Sequence, residues 1–283
     1  MKNIKEKGMH IVFLIAALVS VIAVFLICIF LFANGIPAMA EIGVGDFLLG
    51  KTWRPGSGLY GIFPMILGSI YVTAGALLFG IPIGLLTAVY LAKFCSERLY
   101  KIFRPMIELL AGIPSVVYGY FGLSILVPLT RNLFGGSGNS ILTASILLGI
   151  MILPTIITVS ESAIRAVPES YYEGALALGA THEKSVFSTV LPAAKSGILS
   201  GVVLGIGRAI GETMAVIMVA GNQARVPAGL FDGVRTLTAN IVIEMGYAAD
   251  LHRGALIATA VVLFVFILAI NLLFSIIKRR AKS

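Results

Sequence analysis

The chain has 283 residues, of which 58% are hydrophobic and only 12% charged. A water-soluble domain carries about 25% charged residues, so this composition excludes one and makes lipid the surroundings of most of the chain. The formal net charge of +8 does not indicate nucleic acid, because the basic residues gather at the ends of apolar runs, where they report topology instead. No stretch is long and polar enough for a second folded unit, so residues 1–283 read as one membrane domain.

Six runs reach the roughly 17–25 residues that a membrane crossing needs: 11–33, 62–92, 106–129, 141–159, 198–220 and 254–277. Open sheet edges have no partners in hydrocarbon, so the runs predict an all-α polytopic bundle of six transmembrane helices. The first is followed by Ala38-Met39-Ala40, which resembles a signal cleavage site. Its apolar run is longer than the 7–15 residues of a signal core, however, and it reads as a span. Gly80 and Pro82 predict a kink in the second run, and Gly112-Ile113-Pro114 interrupts the third. Glu108 falls just after Pro105, in what reads as a first helical turn, where a carboxylate suits the helix dipole; it is also a candidate for the transport pathway. Fourteen Lys and Arg lie on the N-terminal side of the membrane and six on the other, with Arg208 alone inside a span. That bias predicts both termini in the cytoplasm.

Two phosphate-binding patterns fail on context. Residues 45–52 (GDFLLGKT) spell a P-loop, but Trp53-Arg54-Pro55-Gly56 cannot open the helix that must follow, and the topology places the stretch outside the cell. Residues 56–61 (GSGLYG) match a dinucleotide fingerprint without a βαβ unit, and read as an outer turn. Any ATP is therefore handled by a partner. Cys28, Cys95 and the scattered His10, His182 and His252 form neither a disulfide framework nor a metal site. With no nucleophile, base or metal cluster in register, the chain does not read as an enzyme.

The inner stretch 160–197 is the longest polar segment. Pro168 suits the first turn of a short helix, Gly179 suits a left-handed cap after it, and Thr181 can cap a second short helix through Phe187, which Pro192 ends. In the fifth span, Arg208 and Glu212 are four residues apart, which predicts one shared helix face and an interaction. Each would cost about 2.5–3.5 kcal/mol at a helix centre, so a polar cavity or a self-neutralising pair is expected there. Gly207 and Gly211 suggest a face for close helix packing.

Glu173-Gly174-Ala175, then Gly179, then Leu191-Pro192 resembles the EAA loop of bacterial ABC-importer permeases. Gly174 and Thr189 depart from that pattern, where Ala and Ile are usual. Residues 108–119 (ELLAGIPSVVYG) and 207–215 (GRAIGETMA) are similar to phosphate permeases, to the PstC-type subunit more than to its PstA-type companion, and the likeness runs from about Tyr60 to the C-terminus. The resemblance implies a type I importer permease fold in the bacterial or archaeal cell membrane. It also implies a complex with a second, PstA-like permease, a PstB-like ATPase dimer that binds ATP-Mg, and an extracytoplasmic phosphate-binding protein. Glu173, Gly174, Ala175, Gly179, Leu191 and Pro192 would then serve ATPase coupling, and Arg208, Glu212 and Glu108 the substrate pathway. An importer of another oxyanion such as sulfate, and an ion-coupled secondary carrier, stand as alternatives.

Overall fold

Apolar sequence in hydrocarbon must bond its own backbone, and helices do this within one segment. The computed structural model describes residues 2–280 and is a helical bundle. Its helices are α1 (Lys2–Ile42), α2 (Val44–Leu49), α3 (Phe63–Val89), α4 (Glu97–Gly112), α5 (Ser115–Phe121), α6 (Val127–Phe134) and α7 (Ile141–Arg165). They continue with α8 (Glu169–Ala177), α9 (His182–Ser185), α10 (Leu191–Gly211), α11 (Met214–Val219), α12 (Leu237–Glu244) and α13 (Asp250–Arg280). Five stretches are long and apolar enough to cross a membrane: Gly8–Ile42, Phe63–Phe94, Ile141–Arg165, His182–Gly211 and Asp250–Ile276. The pair Glu97–Gly112 and Ser115–Phe134, bent by 96°, is a sixth if it is counted as one broken span. Among the described residues the only sheet is a two-residue hairpin, β1 (Trp53–Arg54) on β2 (Leu59–Tyr60).

Three spans depart from the sequence reading. The second runs unbroken through Pro82, and then widens into a π-helical turn at Tyr90–Phe94, where Cys95 N–H reaches back to the Tyr90 carbonyl. The third breaks where expected, because a residue before proline avoids helical geometry; Ile113 is extended at ψ 127°. Pro114 has no N–H to give the Leu110 carbonyl, which accepts instead from the Ile113 amide at 3.4 Å and from the Tyr118 hydroxyl at 2.9 Å. The helix before the break starts at the Ser96 cap, not at Pro105, so Glu108 sits in its later turns and does not meet the helix N-terminal dipole. The fifth span starts earlier than predicted. Thr181 caps α9 as expected, accepting from Lys184 N–H, but the helix does not stop at Phe187 or Pro192. Proline disturbs a helix through the amide it lacks and the carbonyl it crowds. Here a π turn at Val186–Val190 precedes it, with Leu191 N–H bonded five residues back to Val186, and Pro192 enters in the first turn of α10.

The centre of the bundle is α7, enclosed by α3 and α10. Small residues allow the close approach that membrane helices depend on, since lipid supplies no hydrophobic push between them. On α3, a Cβ at Gly80 would lie 2.7 Å from Ile152 Cδ1, and one at Gly84 2.9 Å from Ile156 Cγ2. On the other side of α7, Gly205 sits against the same Ile156. α1 is peripheral and antiparallel to α13, with Phe32 on Phe264 and Ala38 beside Gly254. Most of its apolar surface is exposed.

At the hairpin end, Glu244 of α12 holds the peripheral pieces together. Its Oε2 accepts from Trp53 Nε1 at 2.8 Å and lies 2.9 Å from His252 Nε2, while Arg235 Nη1 donates to its Oε1 at 2.5 Å. The P-loop-like stretch has its helix, α2, inside the pattern instead of after it, and the glycine-rich stretch is the hairpin turn, with Gly58 at φ 69°. Both patterns therefore lack the architecture that binds nucleotides.

Two outcomes follow from these contacts. Gly80→Leu drives a side chain into α7, and overpacking of this kind costs about 1–3 kcal/mol. The detergent-solubilised variant is expected to unfold at lower temperature, whereas Gly45→Ala, where a Cβ meets nothing within 4 Å, is expected to leave it unchanged. Equal melting of the two would refute the contact.

Burial works to raise the Glu244 carboxyl, but the hydrogen bonds from Trp53, His252 and Arg235 outweigh it and hold the group below its ordinary 4.5. A depressed carboxylate contributes stability above its unfolded value and loses it as pH falls through the lowered one. Trp53 is the single tryptophan, so intrinsic fluorescence reads this cluster directly. The signal is expected to change on acidification below 4.5, and Glu244→Gln to remove that acid-side change; a transition that survives the substitution belongs to another group.

Candidate functional site

The fifth span ends its regular helix at Gly211, and Glu212 turns to extended geometry at φ −69°, ψ 130°. Its Oε1 then accepts from the amides of Thr213 and Ala215, both at 3.1 Å. A carboxylate in that position supplies partners to the free N–H groups that begin α11. From the first turn of α12, Thr238 Oγ1 donates to the Glu212 carbonyl at 3.1 Å and fixes the break. Because Glu212 has left the helix, the expected pairing with Arg208 on one helix face is not formed. Arg208 Nη1 instead donates to Thr155 Oγ1 of α7 at 3.2 Å, and among the described residues no carboxylate pairs with it. Arg208 is half-buried. Gly207 and Gly211 do not pack against another helix of the chain; a Cβ at either meets nothing within 4 Å.

Glu108 lies elsewhere. Its Oε1 accepts from Arg104 Nε at 2.7 Å, and no hydrogen bond or ion pair joins it to Arg208 or Glu212. Arg104 Nη1 also donates to Tyr100 Oη and to Glu161 Oε2, each at 3.0 Å. Glu161 has no exposed surface, and its other oxygen accepts from Arg165 Nε at 2.7 Å. Arg165 Nη2 donates onward to the Leu91 carbonyl at 2.7 Å, and its guanidinium lies 4.3 Å over the Tyr100 ring. The sequence reading missed Glu161 by ending the fourth span at Val159. The available signal was the Glu161–Arg165 spacing of four on a helix continuing past that point.

The polar segment is α8, the turn after it and the start of α9. Pro168 stands just before α8 in extended geometry, one position earlier than the first turn predicted for it. Gly179 takes φ 85°, which only glycine adopts freely. Glu173 and Gly174 are exposed and Ala175 is half-buried, while Tyr171, Leu176 and Leu178 present apolar surface to solvent. The inner side of the segment is gripped by the π turn of the second span. Lys93 pairs with Glu169 at 3.1 Å and lies 5.3 Å over the Tyr172 ring; Tyr172 Oη is 2.7 Å from His182 Nδ1, and Phe94 meets the His182 ring edge-on at 4.7 Å. Leu191 and Pro192 belong to the start of α10, not to the helix–turn segment; Leu191 and Tyr172 pack on one small core with Ile164 and Val190. Among the described residues no three His, Cys, Asp or Glu side chains group as a metal site would require.

Known proteins resemble the chain in sequence and in fold. Residues 80–283 match the family described as the binding-protein-dependent transport system inner membrane component. A Bacillus subtilis (strain 168) protein named probable ABC transporter permease protein YqgH is 38% identical over 270 residues, covering 92% of this chain and 87% of that one. A Mesorhizobium japonicum protein named phosphate transport system permease protein PstC is 34% identical over 260 residues, covering 84% and 79%. Among solved structures, a bacterial alginate ABC transporter with its periplasmic protein aligns at TM-score 0.63 and 20% identity, over 95% of this chain and 94% of that one. The MetNI methionine ABC transporter aligns at 0.58 and 20%, over 78% and 94%. These two share the fold of a type I importer permease. The chain belongs to the family of inner membrane components of binding-protein-dependent transport systems.

Proposed function

We propose that this chain is the permease subunit of an ATP-driven importer of inorganic phosphate, with Arg208 as the fixed cation on the anion's path. The observation that carries this reading is a half-buried arginine within a membrane span whose nearest acidic neighbour in sequence is turned away to cap another helix. Such a charge is expensive unless it serves a polar cavity or a ligand, and a guanidinium offers an oxyanion a planar fork of donors. Phosphate as the cargo is supported by the PstC-named relatives. Glu212 supports it chemically: one of its oxygens is taken by two amides, and the other is an acceptor only. Phosphate near neutral pH keeps a proton to donate there, and sulfate does not.

Six crossings return both termini to one side, and the Lys and Arg excess assigns that side to the cytoplasm. α8 then faces the cytoplasm, where its exposed Glu173 and the apolar Tyr171 and Leu178 suit a partner ATPase that binds ATP-Mg. A second, PstA-like permease completes the pathway, and an extracytoplasmic phosphate-binding protein delivers phosphate to the hairpin end. Single cysteines at the exposed Ser57, Ser137 and Lys184 test the orientation. The first two are expected to label from outside whole cells, and Lys184→Cys to label only after permeabilisation. Ser185 is fully buried and is silent in either orientation. Outside labelling at Lys184→Cys would reverse the topology.

ATP-dependent phosphate uptake into vesicles, with sulfate as competitor, is the direct test. Hydrogen bonds to charged groups contribute about 1.5–3 kcal/mol, so Arg208→Gln is expected to lower uptake about 10- to 100-fold while the complex still assembles and hydrolyses ATP. Arg208→Lys keeps the charge without the fork and should be intermediate. Glu212→Gln should cost less uptake but weaken discrimination against sulfate. Full uptake by Arg208→Gln removes the arginine from the pathway, and preferential sulfate uptake by the unsubstituted complex overturns the cargo.

Proline cannot adopt the positive φ at Gly179, and lysine at Glu173 reverses an exposed charge. Both substitutions are therefore expected to leave ATP hydrolysis running while uptake falls. Normal uptake in both would make α8 a passive surface segment.

A further inference from the structure

We infer that Glu161 is a positioning residue that makes α4 follow α8, a role that rests on the permease reading above. A carboxylate with no exposed surface is costly, and replacing a buried ion pair with apolar groups is often neutral or stabilising. Stability alone therefore gives little reason to keep one, whereas holding one arrangement of helices in register does. Glu161 binds two arginines on different helices: Arg104 of α4 and Arg165 at the end of α7.

The contacts on either side of this node are continuous. Arg165 bonds the Leu91 carbonyl inside the π turn, and the next residues of that turn, Lys93 and Phe94, hold α8 and α9. A π turn inserted in a helix often marks a functional site, and this one joins α8 to the buried acid. In the other direction, α4 leads to the 96° break held by Tyr118.

Energetic coupling needs an element with two discrete arrangements, not contact alone. Arg104 provides one, because it also pairs with Glu108, whose side chain is 58% exposed against 0% for Glu161. The exposed pair is weak and screened by salt. When α4 and α7 separate, Arg104 releases Glu161 and keeps Glu108, so its charge is never stranded. The buried pair thus locks α4 to α7 in the state described here, and the exposed pair makes the lock reversible.

The test compares Arg104→Gln, Glu161→Gln and the double variant in the reconstituted complex, with ATP hydrolysis and phosphate uptake read separately. Each single variant is expected to keep hydrolysis and to lower uptake per ATP about tenfold, within the range that coupled pairs carry. The double variant is expected to be no worse than the poorer single one, because both break the same link. Losses that multiply in the double variant, or uptake per ATP that stays unchanged, overturn the proposal. Should Glu161→Gln fail to assemble, Arg104→Gln decides, since Arg104 is partly exposed and keeps Glu108 nearby.

A second readout needs no transport. Spin labels at the exposed Lys101 of α4 and Ser170 of α8, with Cys28 and Cys95 replaced by alanine, report the distance between the two helices in the full chain in lipid nanodiscs. The parent should give one narrow distance and Arg104→Gln a broad or divided one; an unchanged distribution overturns the node. Absence of phosphate uptake by the unsubstituted complex, with the label result as expected, would instead overturn the phosphate cargo and leave the node standing.

Discussion

A carboxylate shut away from water must receive its hydrogen bonds from the protein, and this chain uses two such groups, Glu161 and Glu244, and the half-buried Glu212 as junctions. Glu161 takes an arginine from each of two helices. Glu244 takes an indole, an arginine and a histidine from three separated stretches. Glu212 takes the first amides of a short helix. Apolar packing between helices in lipid is weakly directional, since lipid tails are as oily as leucine. The ionic junctions supply the direction, because a buried acid with a missing partner is strongly unfavourable. They therefore determine which helix ends meet, while glycine contacts along α3 and α10 determine how closely the shafts approach.

Breaks in the helices follow the same accounting of polar groups. Irregular backbone at membrane depth is tolerated only where protein or a water-filled cavity satisfies it. At the third span the Leu110 carbonyl is met by the Ile113 amide and the Tyr118 hydroxyl, and at the fifth the freed amides are met by Glu212 and the Glu212 carbonyl by Thr238. The two breaks are linked by contact, since a Cβ at Gly119 of α5 would lie 3.0 Å from Ala215 of α11. Broken helices facing one another are where membrane transporters place sites for ions and substrates, and Arg208 stands in the last turn before one of them.

Five spans were legible because twenty-odd apolar residues in a row admit few alternatives, and the Gly112–Pro114 break was legible because a pre-proline residue resists helix. The turn at Gly179 and the Thr181 cap were legible for the same local reasons. What escaped was non-local. Spacing of four predicts a shared face only while the helix continues, and nothing in GETMA announces that Glu212 would leave it to cap α11. Glu161 and Glu244 read as loop residues, because their partners Arg104 and Arg235 are assigned by tertiary packing. Pro192 read as a stop because a π turn, which lets the helix accept it, leaves no mark in composition.

The capping geometry at Glu212 changes what Arg208 can do. A guanidinium paired with a carboxylate one turn away would be largely neutralised, and an incoming anion would have to displace that carboxylate before binding. With Glu212 held by two amides, Arg208 is oriented only by the neutral Thr155 hydroxyl. A neutral partner aims the fork without competing for it. The carboxylate remains one residue beyond the end of α10, close enough in the chain for its field to oppose overly tight anion binding. Transport needs that balance, since a site that binds without releasing is a trap. Under the function proposed above, the break in the fifth span separates the cation from its neighbour in sequence and would make a binding group out of what would otherwise be an internal salt bridge.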